Sequence, residues 1–404
     1  MEFDTAVGIV RSLAPVMRTE SVAIAQAHGR IAASDVASPI NLPPFDNSAM
    51  DGFALPSAAS EGDEFDVNLW QAAGDADPES HTGAAEIMTG AKMPQHALAV
   101  IPVERIAVLG TGADGKPSRI RVNQDVPVGN NIRRAGEDVA KDETILSKGT
   151  LLLAPHVMQL AGVGLTHIEV AVRPRVRIIN TGAELVTDGV ELDGSKIHNS
   201  NGPYLVQRVV DAGGVVSAHH VVSDDVGAFE QAMQGDEDLV ISTGAVSMGR
   251  FDFIPQYLKD HGATIHFHKV SQRPGKPILF ATLADGRHFF GLPGNPASVA
   301  VGFRFYVEAM LRAMLGLAPE RPLRLPVVNE FNKKVAMQQL LKARVELTAD
   351  ALGVRILAGQ ESFKVQPMLS ANAWASIAPD VTGAVHEVMV VPSSHLFPMS
   401  ILAS

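Results

Sequence analysis

The apolar residues of this chain change their spacing from one stretch to the next, and the changes mark out its elements. Between about residues 172 and 318, short apolar runs alternate with amphipathic segments. Val176–Asn180, Val215–Val222, Leu239–Ile241 and Thr264–His268 read as strands, while Pro203–Ala212, Val226–Met233 and Phe253–His261 read as helices. Apolar strands separated by amphipathic helices are the βαβ pattern of a mostly parallel sheet. Two further apolar runs flank Asp285-Gly286, a pair that suits a hairpin turn. The second of these runs ends in Gly291-Leu-Pro-Gly-Asn-Pro296, and Val299, Phe303, Val307, Met310, Leu311 and Met314 follow at helical spacing. Asn295 is then the expected N-cap, with Pro296 at the first helical position.

Elsewhere the spacing differs. In residues 1–40, Val7, Ile9, Val10, Leu13 and Met17 suggest a helix, and a second short amphipathic piece lies around Val22–Ala27. Residues 140–170 contain LSKGTLLLAPHVMQLAGVGL, a turn into another helix. Residues 1–40 with 140–170 therefore read as a small helical region, with residues 1–20 free to pack on the α/β domain instead. It is interrupted by a β-rich insertion at 45–139, where short strands and turns dominate. The α/β domain spans 172–318. From 319 to 404, Arg344–Leu347, Val354–Leu357 and Val385–Pro392 read as strands of a C-terminal all-β domain. The expected fold class is α/β, multi-domain.

Composition narrows the chemistry. The 404 residues carry a formal net charge of −11, which argues against a nucleic-acid surface. Cysteine is absent, so disulfides, thiolate nucleophiles and Cys-ligated metals are excluded. No run of 18 apolar residues occurs, and the start, Met-Glu-Phe-Asp, lacks a basic, apolar leader pattern. The expectation is a cytoplasmic protein that touches neither membrane nor nucleic acid.

In open parallel sheets, ligands bind outside the carboxyl ends of the strands. Asn180-Thr-Gly-Ala-Glu184 and Ser242-Thr-Gly-Ala-Val-Ser247 follow two such ends, and the 291–296 corner follows a third. None is a P-loop or a G-x-G-x-x-G fingerprint. Lys269, Arg273 and Lys276 precede the corner, so cations and a helix N-terminus together suggest an anion site. A tight turn with scattered surface cations is the competing reading. Glu184, Asp224, Asp225 and Asp252 are oxygen ligands suited to Mg²⁺, although Asp225 and Asp252 also stand where helix caps occur. His266 and His268 alternate on one strand without a third ligand, and His219-His220 reads as incidental. In the insertion, Asp51 beside Gly52 could be a site or simply an Asp-Gly turn, while the Thr89-Gly90 corner and Asn131-Ile-Arg-Arg-Ala-Gly-Glu-Asp138 could each be a site or a solvated loop.

Taken together, LPPFDNSAMDGFA, IMTGAKMP, NIRRAGED, NTGAELV, KIHNSNGPYL, ISTGAVSMGRFD, RPGKP and GLPGNPAS run in this order along the chain. The set closely resembles the molybdopterin molybdenumtransferases, the MoeA family, whose eukaryotic relatives include the gephyrin E domain. The resemblance implies a sheet domain like that of the MoaB and MogA proteins. It also implies insertion of molybdate into adenylylated molybdopterin with Mg²⁺-dependent release of AMP. It implies a homodimer with a shared active cleft and contacts with other proteins of the pathway. Catalytic roles would fall to Asp51, Thr89, Glu184 and Asp252, and metal binding to Asp225 and Asp252. Substrate contacts would fall to Arg133, Asp138, Ser247, Lys269, Arg273, Lys276, Pro293, Asn295, Pro296 and Ser298. Ala183 stands where many members carry Asp and Ala245 where many carry Gly, and Ser362–Ile377 is only loosely family-like. Those departures keep a second reading open, a non-catalytic molybdopterin-binding scaffold or paralogue on the same fold. A weaker third is the preceding adenylyl-transfer step.

Overall fold

A computed structural model describes residues 1–76, 82–186, 189, 191–246, 252–349 and 351–393. The chain divides into two compact units: Met1–Glu20, Gly29–Ala33 and the chain from Glu169 onward form the larger, Ser21–His28 and Ser34–Ile168 the smaller. Helical structure in 1–40 and 140–170 is confined to α1 (Phe3–Ser12), a 3₁₀ turn at Ile24–Gln26 and α2 (Ala154–Gly162). The piece expected to be helical around Val22–Ala27 is instead the end of a strand, Thr19–Ala23, running into that 3₁₀ turn. Val22 is β-branched, and the run holds too few residues to offset the cost of helix nucleation.

The smaller unit contains a six-stranded sheet of β1 (Gly52–Leu55), β2 (Glu64–Gln71), β3 (Ala84–Ile87), β4 (Ala99–Pro102), β5 (Ile106–Thr111) and β6 (Pro117–Val122), in the order β4-β1-β3-β2-β6-β5. Exposure alternates residue by residue along β2, as expected for a strand with one face on a core. That core holds Phe53, Leu55, Ile101, Ile120 and Val122. Asp51-Gly52 is not a free-standing turn. A Cβ on Gly52 would overlap the Ile101 carbonyl oxygen of the paired strand β4, so glycine is required by strand approach.

In the larger unit a six-stranded sheet comprises β7 (Arg175–Thr181), β8 (Val215–Val222), β9 (Leu239–Thr243), β10 (Thr264–His268), β11 (Leu279–Thr282) and β12 (His288–Leu292), ordered β8-β7-β9-β12-β11-β10. The pairs β8/β7, β7/β9 and β9/β12 are parallel, and β12/β11/β10 antiparallel. The hairpin turns at Asp285-Gly286, where Gly286 has φ +91°. Strands β9 and β12 are buried throughout, which is why they read as unbroken apolar runs. Helices α3 (Asn201–Asp211), α4 (Val226–Ala232) and α5 (Ile254–Asp260) connect them.

After β12 one long helical segment runs as α6 (Pro296–Gly302), a π segment Phe303–Val307 and α7 (Glu308–Met314). α1 packs there, with Ala6 and Val10 in the same core as Phe303, Tyr306 and Val307, and Phe3 edge-on to Phe305 at 5.6 Å. Fully burying such side chains contributes roughly 1.5–3 kcal/mol each. The C-terminal sheet joins β13 (Leu323–Pro326), β14 (Gln338–Leu347), β15 (Leu352–Ile356), β16 (Ala373–Ile377) and β17 (Glu387–Pro392). Gln272–Arg273 forms its further edge, parallel to β14 with Arg273 opposite Gln339. No helix among the described residues is long and apolar enough to cross a membrane.

Candidate active site

Strand register brings the corners together. Asn180 of β7 lies opposite Thr243 of β9, and Thr243 opposite Leu292 of β12. Hydrogen bonds then lock the edge: Asn180 Nδ2 donates to Thr243 Oγ1 at 2.7 Å, Thr181 Oγ1 to the Thr243 carbonyl at 3.0 Å, and Gly244 N–H to the Leu292 carbonyl at 3.1 Å. Gly244 has φ +87°, and a Cβ there would come within 2.7 Å of the Thr181 hydroxyl. Its neighbour Ala245 keeps φ +51° without the freedom of glycine.

Under this edge runs a polar network that sequence reasoning missed. Asn180 Oδ1 accepts from Asn199 Nδ2 at 3.0 Å and from His219 Nε2 at 2.7 Å. Since the Asn180 amide nitrogen is committed to Thr243, its oxygen is the acceptor, and His219 must donate from Nε2. Asn199 Oδ1 accepts the Gly202 N–H at 3.0 Å. A Cβ on Gly202 would fall 2.5 Å from both Asn199 Nδ2 and His219 Nε2, so the network occupies the space a side chain needs. Asn201 Nδ2 reaches the Gly294 carbonyl at 2.7 Å, joining the start of α3 to the glycine corner. The available signal was the run Asn199-Ser-Asn-Gly202, three polar side chains leading into the first turn of a helix.

The acids take mixed roles. Asp225 Oδ1 accepts from Ala228 N–H at 2.8 Å, so Asp225 caps α4. Asp224 Oδ2 accepts from Ala183 N–H at 3.2 Å, tying the turn after β7 to the turn after β8. The Glu184 carboxylate folds over Gly182, with its Oε2 2.8 Å from where a Cβ on that residue would sit. Phe253, not Asp252, holds the N-cap position of α5, without a side-chain cap bond. Ser247 lies outside the described residues. His266 and His268 bond to Thr282 Oγ1 at 2.8 Å and to the Val246 carbonyl at 2.7 Å. Among the described residues no group of three or more His, Asp or Glu side chains could hold a metal by itself.

The basic loop is built with care. Lys269 has φ +81°, its N–H bonds to the Ile278 carbonyl, and Val270 N–H bonds to the Lys276 carbonyl, both at 2.9 Å. Lys269 is half-buried, while Arg273 and Lys276 are exposed. Buried Gln272 holds the loop from inside, its Nε2 donating to the carbonyls of Pro274 at 3.1 Å and Gly275 at 3.3 Å. The Tyr306 hydroxyl, presented by the π segment, donates to Gln272 Oε1. Burial pushes the Tyr306 phenol far above its ordinary range, so it remains a donor. A Cβ on Gly275 would lie 3.5 Å from the Ser298 carbonyl, so the loop abuts the first turn of α6.

That first turn differs from expectation. Pro296 has no N–H, Ala297 N–H bonds to the Ser362 carbonyl at 2.9 Å, and Ser298 and Val299 N–H bond to the Asn295 carbonyl at 2.9 and 3.0 Å. Asn295 holds the cap position without a side-chain cap bond, and Ser298 is 4% exposed. The helix start therefore has no spare donor in its first turn. Gly294 and Asn295 of the corner are exposed, as are Arg273 and Lys276 of the basic loop.

In the smaller unit, Asp51 Oδ1 accepts the Thr89 N–H at 2.7 Å, so two residues far apart in sequence form one exposed feature. Ile132–Arg133 pairs with Asn47–Ser48, and Asp138 N–H bonds to the Leu42 carbonyl at 3.0 Å. Asp46, overlooked in the sequence, clips these loops, accepting from Ala135 N–H at 2.8 Å and Arg134 Nη1 at 2.6 Å. The Ala135 N–H, helped by Arg134 and opposed by burial, holds its carboxyl below the usual range.

An open α/β sheet with glycine corners, acids and cations along its carboxyl edge places the chain in the class of α/β proteins whose fold offers a ligand crevice beyond the strand ends. Residues 1–164 match the MoeA N-terminal region (domain I and II), and residues 177–313 match a probable molybdopterin binding domain. The chain is 36% identical over 341 residues to molybdopterin molybdenumtransferase 2 of Mycobacterium tuberculosis, covering 80% of this chain and 82% of that protein. It is 32% identical over 358 residues to the molybdopterin molybdenumtransferase of Staphylococcus epidermidis, covering 85% and 84%. A solved molybdopterin biosynthesis MoeA protein from Pyrococcus horikoshii superposes with a TM-score of 0.81 at 26% identity, over 97% of this chain and 99% of that one. The chain belongs to the molybdopterin molybdenumtransferase family, enzymes of molybdenum cofactor biosynthesis.

Proposed function

We propose that this enzyme inserts molybdate into the dithiolene of adenylylated molybdopterin, with Mg²⁺-dependent release of AMP. The observation that carries the reading is the locked sheet edge: three corners bonded to one another, beside a loop bearing Lys269, Arg273 and Lys276. Molybdate and phosphate are anions, and each charge-assisted contact favours them by roughly 0.3–2 kcal/mol. Lys269, Arg273 and Lys276 attract and orient these groups, while the corner at Pro293–Asn295 offers close backbone approach. The sulfurs belong to the pterin, so a chain without cysteine suffices.

The donor set fits Mg²⁺. Glu184 and Asp252 are hard oxygen ligands at the same edge, too few to complete a shell, and Mg²⁺ commonly completes its shell with water and substrate phosphate. Asp225, engaged as a helix cap, supports that arrangement by fixing the adjacent turn. When bound, Mg²⁺ would supply charge stabilisation as the phosphoanhydride breaks.

We further infer a homodimer in which the exposed Asp51–Thr89 pair of one subunit completes the other's cleft, with Arg133 and Asp138 at its margin. The test is release of AMP by the purified protein given adenylylated molybdopterin, molybdate and Mg²⁺. Wild type should turn over, whereas Asp252→Ala should stay folded and inactive; an active Asp252→Ala removes that residue's role. The strained Ala245 favours one alternative, a scaffold that binds the adenylylated pterin without releasing AMP. Binding with no AMP release would select it.

A further inference from the structure

A lysine in the C-terminal sheet stands out because its charge is buried. Lys342 lies in the middle of β14 and is 1% exposed. A buried ammonium is tolerated only when its donors are satisfied. Here all three are spent on one loop: Nζ donates to the carbonyls of Gly359 at 2.7 Å, Lys364 at 3.0 Å and Glu361 at 3.2 Å. Gln360 of the same loop clamps the lysine backbone, its Oε1 accepting the Lys342 N–H at 3.0 Å and its Nε2 donating to the Lys342 carbonyl at 2.8 Å.

The loop so held reaches the glycine corner. Between Glu361 and Lys364, the Ser362 carbonyl accepts the Ala297 N–H at 2.9 Å, the bond that takes the remaining first-turn donor of α6. Gly359, Gln360 and Glu361 also line a groove of about 600 Å³ together with Arg273. Lys342 stands two residues from Leu340 on β14, hence on the same face, and Leu340 packs with Ala300 and Val301 of α6. One ammonium therefore ties together carbonyls on both sides of Ser362, whose own carbonyl accepts the Ala297 N–H.

We propose that Lys342 is a positioning residue for the substrate corner. By holding Gly359–Lys364 in place it fixes the wall of the groove that Arg273 lines and so keeps Arg273 placed for the oxyanion, and the Ala297–Ser362 bond reports on whether that wall is held. The inference rests on the molybdate-insertion reading above. Its test compares Lys342→Met, which keeps length and loses the donors, with Lys342→Arg. Hydrogen exchange of the 293–300 segment and equilibrium binding of molybdate are measured alongside AMP release.

Lys342→Met should speed exchange in that segment about tenfold and raise the KM for molybdate about tenfold with kcat changed less than about twofold, and Lys342→Arg should recover part of both. Unchanged exchange overturns the proposal, and so does an unchanged KM. A loss of kcat alone counts against it as well. If Lys342→Met does not fold, Gln360→Leu should show the same pattern more weakly, and its failure to do so is equally decisive. Exchange and molybdate binding need no turnover. A wild type that releases no AMP therefore refutes the proposed reaction and leaves these two measurements to judge Lys342.

Discussion

Ala245 holds φ at +51°, a conformation that costs an L-residue about 1–2 kcal/mol, whereas a glycine placed there loses roughly 0.5–1 kcal/mol through the greater freedom of its unfolded chain. The two effects nearly offset, with relief of strain slightly ahead. Ala245→Gly should therefore leave stability unchanged or raise it by up to about 1 kcal/mol, read as the thermal midpoint; a clear loss would show that the methyl group packs usefully. The dipeptide His219-His220 teaches a related point about single residues. Side chains alternate across a strand, so His219 turns to Asn180 while His220 Nε2 meets Arg177 Nη1 at 2.8 Å. Neighbours in sequence here serve different networks, and nothing local distinguishes them. Asp51 and Thr89 were legible as small-residue corners, but the bond between them spans 38 positions.

The sheet as an element carries its own pH dependence. His220 on β8, His266 on β10 and His288 at the start of β12 are all shifted below the ordinary 6.5. Burial is the first cause for each; Arg177 adds to it at His220, and a bond to the Leu13 carbonyl opposes it at His288. The folded state thus binds fewer protons than the unfolded chain just below that value. Stability is fully present above pH 6.5 and falls as pH drops through the lowered folded values. Thermal midpoints should decline on acidification through this window, and His220→Gln, which keeps an acceptor for Arg177, should decline less. A midpoint flat across the window would sink the assignment. At the same scale, the helix after GLPGNP was legible from its apolar spacing and from Pro296, but its capping was not. A cap that depends on Ser362, 65 residues past Ala297 by numbering, has no local signature.

For the whole molecule, the shared-cleft proposal has a distinctive consequence. Asp51→Ala and Lys276→Ala subunits, each inactive alone, should regain part of the AMP-release activity when mixed and allowed to exchange. Mixtures that stay inactive while exchanging subunits would show that each chain completes its own site. The sequence by itself determined the period of the longer segments, though not of the short piece at Val22–Ala27, together with the hairpin at Asp285-Gly286, the mostly parallel sheet and the ordered motifs of the family, because these follow from spacing and turn chemistry within a few residues. Only the tertiary structure decided that α1 joins the core of the α/β sheet, that Gln272 and Tyr306 hold the basic loop, that Asp46 clips the smaller unit's loops, and that Lys342 and Ser362 close the helix start. Those partners are brought together by strand register and packing, and a buried polar group takes whichever partner the fold places beside it.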